Sequence, residues 1–232
     1  MSRDEASLAR DLPTEPQQKA PRVAMLVLTA VVGIYCIWVR SSELIRPGVI
    51  SLPVDPQSAA IAAQKRARAN WAAHVGIIRG DLWAESGYTF ANLLWKSSSG
   101  EKEPAQSLDL ARARLDRAIR YAPTKAGVWL LLAGFAPDFR EATEALRMAY
   151  FTGPSELSLM PIRTFVAAQM PTLDADMQQL ARRDLRYLLK SQQKPAIIQA
   201  WRAATPAGKR FMEQELGERD PSFLQTLRRG PE

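Results

Sequence analysis

The chain is poor in the residues that build most reactive centres. It has one cysteine, Cys36, one histidine, His74, and two asparagines, Asn70 and Asn92. A single cysteine excludes a disulfide within the chain. One histidine and one cysteine cannot supply the ligands of a zinc site built from those residue types. Neither asparagine opens an Asn-x-Ser/Thr acceptor. A glycine-rich phosphate loop and a G-x-S-x-G turn are also missing, so P-loop and α/β-hydrolase chemistry have no support. Period-2 alternation never runs beyond a few residues, which argues against a sheet.

What is present is one uncharged run. Residues 23–39 (VAMLVLTAVVGIYCIWV) lie between Arg22 and Arg40. As a helix they cover roughly 26 Å of a roughly 30 Å hydrocarbon core. Arg22 and Arg40 can snorkel outward to make up the difference. Tyr35 and Trp38 lie toward one end, where amphipathic rings favour the headgroup zone. A buried core helix is disfavoured because the run is apolar on every face. A cleaved signal peptide is disfavoured because 22 residues precede the run and no small-residue cleavage site follows it. We read it as an uncleaved transmembrane helix that binds the lipid bilayer.

Arg3, Arg10, Lys19 and Arg22 precede the run; Arg40 and Arg46 follow it closely. The positive-inside rule then gives a single-pass protein with its N-terminus inside. In a bacterial inner membrane the C-terminal domain would be periplasmic. Lys65, Arg66 and Arg68 count the other way.

The tail 1–22 holds four basic and four acidic residues, so the net charge of +7 belongs to residues 40–232. A tethered basic domain favours anionic headgroups or an acidic partner. The basic residues are scattered in pairs such as Arg182-Arg183 and Arg228-Arg229, with no reading module, so nucleic acid is not an expected partner.

Four segments follow. Residues 1–22, with Pro13, Pro16 and Pro21, read as a disordered tail, and 23–39 as the span. Residues 40–57 hold Pro47, Gly48, Pro53 and Pro56 and read as an extended linker. From Ser58 to 232 the pattern is helical, with helices expected near 58–75, 79–95, 107–122, 125–135, 138–151, 156–169, 173–191, 195–204, 206–217 and 221–229. Asp220-Pro221 and Thr205-Pro206 are N-caps followed by proline in the first turn. Residues 96–106 read as a polar loop.

The prolines reveal a repeat. Trp83-x2-Ser86-Gly87-x2-Phe90 opens one helix, and Ala111, Leu115 and Ala118 lie on the next, which ends at Pro123. Trp129, Leu132 and Ala133 follow, then Ala142, Leu146, Ala149 and Tyr150 before Pro154. This resembles the tetratricopeptide repeat (TPR), with its Trp, Leu-Gly and Tyr on one helix and Ala, aromatic, Ala and Pro on the next. Ser86 stands for Leu, and Leu115 and Leu146 stand for the aromatic. The resemblance covers about 60–170 and leaves 171–232 as extra helices. It implies an all-α fold, a TPR-like α-solenoid behind one transmembrane helix, with Trp83 and Trp129 buried.

The stretch 145–163 (ALRMAYFTGPSELSLMPIR), with 203–229, resembles small membrane-anchored helical-repeat proteins of alphaproteobacteria associated with polysaccharide polymerisation and export. That implies a polysaccharide polymerase, ligase or export component as partner.

Catalytic signals are thin. His74 reads as a surface or packed residue. The carboxylate pairs Asp81/Glu85 and Glu141/Glu144 have helical surface spacing, and Asp174 and Asp176 fall in a first helical turn. No catalytic, metal or cofactor site is expected. Groove residues expected from helix faces are Arg112, Arg120 and Tyr121 on one repeat helix and Arg140 and Arg147 on another. The expected role is a non-enzymatic scaffold that presents a groove to a membrane protein. The alternative is a structural subunit recognised through its span, where Thr29 and Gly33 lie four apart. A hydrolytic enzyme using Asp81 or Glu85 is a third reading.

Overall fold

The computed structural model describes residues 15–98 and 105–229, and no strand occurs among them. The chain divides into two units, with the boundary between Leu44 and Ile45.

The first unit holds α1 (Glu15–Ile45) up to Leu44. Within it Pro21–Ile45 is long and apolar enough to cross a membrane. Val23, Leu26, Ile34 and Ile37 are all exposed, as they would not be in a core helix. Two expected boundaries change. Part of the 1–22 tail, residues 15–22, is helical, and the rest lies outside the described residues. The helix also runs on to Ile45, because Ser41, Ser42, Glu43, Leu44 and Ile45 contain no breaker before Pro47.

The second unit holds α2 (Pro56–Gln64), α3 (Arg66–Val75), α4 (Gly80–Tyr88), α5 (Asn92–Ser98), α6 (Ala105–Tyr121), α7 (Ala126–Gly134), α8 (Phe139–Thr152), α9 (Met160–Ala168), α10 (Ala175–Lys190), α11 (Lys194–Ala203), α12 (Pro206–Arg219) and α13 (Pro221–Arg229). Side-chain oxygens open several of these helices by accepting first-turn amides. Asp138 Oδ1 accepts Glu141 N–H at 2.9 Å, Asp174 Oδ1 accepts Met177 N–H at 2.8 Å and Asp220 Oδ1 accepts Phe223 N–H at 3.0 Å. Thr205 Oγ1 accepts Gly208 N–H at 3.1 Å. Pro206 and Pro221 begin α12 and α13, as their caps predict.

Packing advances in order along the chain. α4 packs on α6, α7 on α8, and α9 on α10; α7 also touches α4 and α9, and α9 touches α11. Three helices bury apolar residues at one spacing: Ala111, Leu115 and Ala118 on α6; Ala142, Leu146 and Ala149 on α8; Ala181, Leu185 and Leu188 on α10. The α10 set lies past Pro171, where no repeat is expected. Leu188 occupies the place of the second alanine.

Trp83 and Trp129 each sit fourth in their helix. Each donates its indole N–H at 2.7 Å to the carbonyl six residues earlier, on Ile77 and Pro123. Trp83 is buried, but Trp129 is only half-buried, so its ring closes the edge of the core rather than filling it.

Two expected helices are broken. The 58–75 helix divides at Lys65, and the 79–95 helix divides after Tyr88. At the second break Arg66 donates from Nη2 to the Thr89 carbonyl at 2.8 Å and to Asn92 Oδ1 at 2.9 Å. The 96–106 loop shrinks at both ends: Lys96 to Ser98 finish α5, 99–104 lie outside the described residues, and Ala105 begins α6.

Candidate partner-binding cleft

The segment 46–55 is no free linker. The second unit begins at Ile45, so the domain starts well before the expected Ser58. Alternation along an extended chain sends successive side chains to opposite sides. Here Val49 is 75% exposed, whereas Ile50 and Leu52 are 6% and 9% exposed and join the core. Gly48 has φ +92, a conformation that favours glycine, and turns the chain between Pro47 and Val49. We call this segment the strap.

Both ends of the strap are fastened. At its start Arg46 pairs with Glu85 of α4: Nε donates to Oε2 at 2.9 Å, and Nη2 donates to Oε1. This is a bidentate arrangement, which adds geometric specificity to charge. At its end Asp55 forms a capping box with Ser58. Oδ1 accepts Ser58 N–H at 2.9 Å, and that bond holds the Asp55 carboxyl below its ordinary range. In the middle, Leu52 and Tyr88 both lie against Gly127 of α7. A Cβ added at Gly127 would lie 2.8 Å from Tyr88 Oη and 3.3 Å from Leu52 Cδ2.

Between the strap, α4, the start of α7 and the turn before α9 lies a cleft of about 680 Å³. Asp81, Glu85 and Tyr88 line it from α4, Lys125 and Gly127 from the start of α7, and Glu156 and Ser158 from the turn. Burial pushes the Asp81 carboxyl upward, but Arg79, donating from Nη2 at 2.7 Å, more than offsets this and the carboxyl stays low. Burial raises the Tyr88 hydroxyl, and the Glu156 and Glu85 charges add to it. So Asp81 is ionised and paired, and Tyr88 keeps its proton. The set can accept and donate hydrogen bonds, and neither group exchanges a proton near neutral pH. Three further cavities measure about 210, 180 and 260 Å³.

The residues expected to line a groove lie elsewhere. Arg112 of α6 pairs with Glu141 of α8 at 2.9 Å, Arg140 pairs with Glu144 at 3.2 Å, and Arg147 pairs with Asp174 at 2.5 Å. Arg120 and Tyr121 are exposed at the end of α6. None of the five lines the cleft.

His74 is exposed. Its Nδ1–H donates to the Asn70 carbonyl at 2.7 Å, Arg114 Nη1 donates to its Nε2 at 3.2 Å, and its ring meets Trp83 edge-on. Among the described residues no group of three or more His, Cys, Asp or Glu could hold a metal ion.

Sequence reading missed the strap and the buried pair of Arg163 and Asp184. The signal for the strap was its alternation, Ile50 and Leu52 against Val49 and Ser51, inside a proline-rich stretch. No protein-family model matches this chain, and neither the curated proteins nor the solved structures yield a match. Among the described residues the protein is all-helical, with one helix long and apolar enough to cross a membrane.

Proposed function

We propose that this protein is a non-enzymatic, membrane-tethered scaffold whose cleft takes a segment of a partner protein. In this reading α4–α6, α7–α8 and α9–α10 are TPR-like helix pairs stacked as an α-solenoid, and α1 is the single-pass anchor of a bacterial inner membrane. The positive-inside count favours a periplasmic domain. The resemblance of 145–163 and 203–229 to alphaproteobacterial proteins makes a polysaccharide polymerase, ligase or export component the first partner to test.

The observation that carries the reading is the strap. An extended chain lies along α4 and the start of α7, fixed by one ion pair and two alternate apolar side chains, and open space remains beside it. Helical repeats commonly bind partner segments along such surfaces. The anchor adds effective concentration toward other membrane proteins. The experiment is affinity purification of the full chain from native membranes, beside residues 45–232 alone. The scaffold reading expects both to retain the same membrane protein.

A second reading has one observation in its favour. A Cβ at Gly33 would meet nothing within 4 Å, so α1 has an open face beside Thr29. A subunit held through lateral span packing would use that face, and only the full chain would then retain the partner.

A further inference from the structure

The outer face of α2 and α3, with the turn that follows, combines three features that the fold itself does not need. The first is apolar exposure. Ala62, Ala69 and Ala73 face the core. At 100° per residue Trp71 lies 200° round α3 from both Ala69 and Ala73, Arg68 flanks it three residues back, and Ile61 lies 200° round α2 from the buried Ala59. Ile61 is 51% exposed and Trp71 66%, and Ile77 and Ile78 in the turn are 57% and 56% exposed.

The second feature is charge. Between Asp55 and Asp81 there is no acidic residue, while Lys65, Arg66, Arg68 and Arg79 are all basic. Arg66 is turned inward, over the Phe90 ring at 4.0 Å, and Arg79 is paired with Asp81, which leaves Lys65 and Arg68. Arg68 is exposed and Lys65 half-exposed, beside Ile61 and Trp71 in the helical order.

The third feature is strain. Ile77 has φ +29, in the left-handed region. That region is costly for a β-branched residue. The conformation is held by Trp83, whose indole N–H donates to the Ile77 carbonyl. The chain thus maintains a strained backbone that displays two adjacent isoleucines to solvent. Asparagine would fit the backbone better and hide nothing apolar. Strain of this kind points to a use for the displayed side chain.

We infer that this face docks on the surface of an anionic phospholipid bilayer. The inference rests on the reading of α1 as a membrane span. Chain connectivity then fixes the occupant. Ten residues, 46–55, separate the end of α1 from α2, and they reach at most about 36 Å. A tryptophan flanked by isoleucines and cations is suited to the headgroup boundary, where amphipathic rings and Lys/Arg side chains gain most. Each cation near an anionic surface adds to the attraction, and salt screens it.

The test uses the full chain in lipid nanodiscs of phosphatidylcholine alone, or mixed with phosphatidylglycerol. A nitroxide is placed by Ile78→Cys in a Cys36→Ser background, and accessibility to oxygen is compared with accessibility to a water-soluble nickel chelate. The wild-type chain labelled at Cys36 is the control for the span: a water-like label there means that the span reading has failed. With Cys36 in lipid, the expected result at position 78 is a several-fold oxygen preference in phosphatidylglycerol discs. It is lost on adding Lys65→Glu with Arg68→Glu, or in high salt. Ile77→Asn should weaken the preference while raising Tm, which separates lost docking from lost folding. A water-like label at position 78 in both lipids overturns the inference. So does protection that depends on two copies per disc, since the covering surface is then another chain.

Discussion

Arg163 of α9 and Asp184 of α10 form an ion pair whose side chains are both fully buried. Nε donates to Oδ2 at 2.7 Å, Nη2 donates to Oδ1 at 3.2 Å, and Nη1 donates to the Gly153 carbonyl at 2.6 Å. Burial pushes the Asp184 carboxyl upward, and the guanidinium opposes that shift. The pair therefore ties α9, α10 and the end of α8 into one block. Asp184→Ala strands a buried cation and should cost about 3–5 kcal/mol. Replacing both partners, Arg163→Met with Asp184→Leu, should recover most of that loss. Chemical denaturation of the three variants measures the cycle, and losses that simply add would contradict the pairing.

The strap predicts its own series. Leu52→Ala should cost about 2–5 kcal/mol as a buried leucine. Gly48→Ala should cost about 1–2 kcal/mol, because its φ disfavours any side chain. Val49→Ala, at an exposed position, should change stability little. Arg46→Ala should cost about 1.5–3 kcal/mol by leaving the Glu85 carboxylate without its charged partner. Denaturation midpoints test the order. Equal effects at Val49 and Leu52 would mean that the segment is free in solution.

Much of the helical framework was legible in the sequence. Asp220-Pro221 and Thr205-Pro206 carry their cap chemistry within three residues, and the Ala-Leu-Ala triads of α6 and α8 repeat one spacing. The features that escaped depend on partners distant in the chain. Arg66 reaches the Thr89 carbonyl at the end of α4, and Arg46 reaches Glu85. Arg163 and Asp184 look like ordinary charged helix residues until α9 and α10 meet. The strap escaped because its prolines read as a linker, although its alternation is that of a half-buried strand.

Trp83 and Trp129 make the same hydrogen bond with unequal burial. Trp83→Ala should cost about 3–5 kcal/mol, and Trp129→Ala clearly less. Trp83→Phe keeps most of the packing and should lose about 1 kcal/mol for the hydrogen bond. It should also free the Ile77 turn, detected as faster amide exchange at Ile77 and Ile78. Unchanged exchange would show that the indole does not hold that turn.

Asp55 sets an acid dependence. Its folded pKa lies below the unfolded value, because Ser58 donates to the carboxylate. The folded state therefore binds this proton less readily than the unfolded state. The contribution is present above about pH 4 and is lost as pH falls through the folded pKa. Asp55→Ala should cost about 1 kcal/mol at neutral pH, with the difference shrinking toward acid pH. Urea midpoints from neutral pH to pH 3 test this, and a difference constant with pH would contradict it.

The cleft between the strap, α4 and the turn before α9 is the centre of the functional account. The most direct measurement places the photocrosslinker p-benzoylphenylalanine at Ser158 on the cleft, and separately at Glu218 on α12, in the full chain in native membranes. Both positions are exposed, and mass spectrometry identifies any adduct. The scaffold account predicts one discrete membrane-protein adduct from position 158 and none from position 218. Identical adducts from both, or an adduct only from position 218, would contradict it.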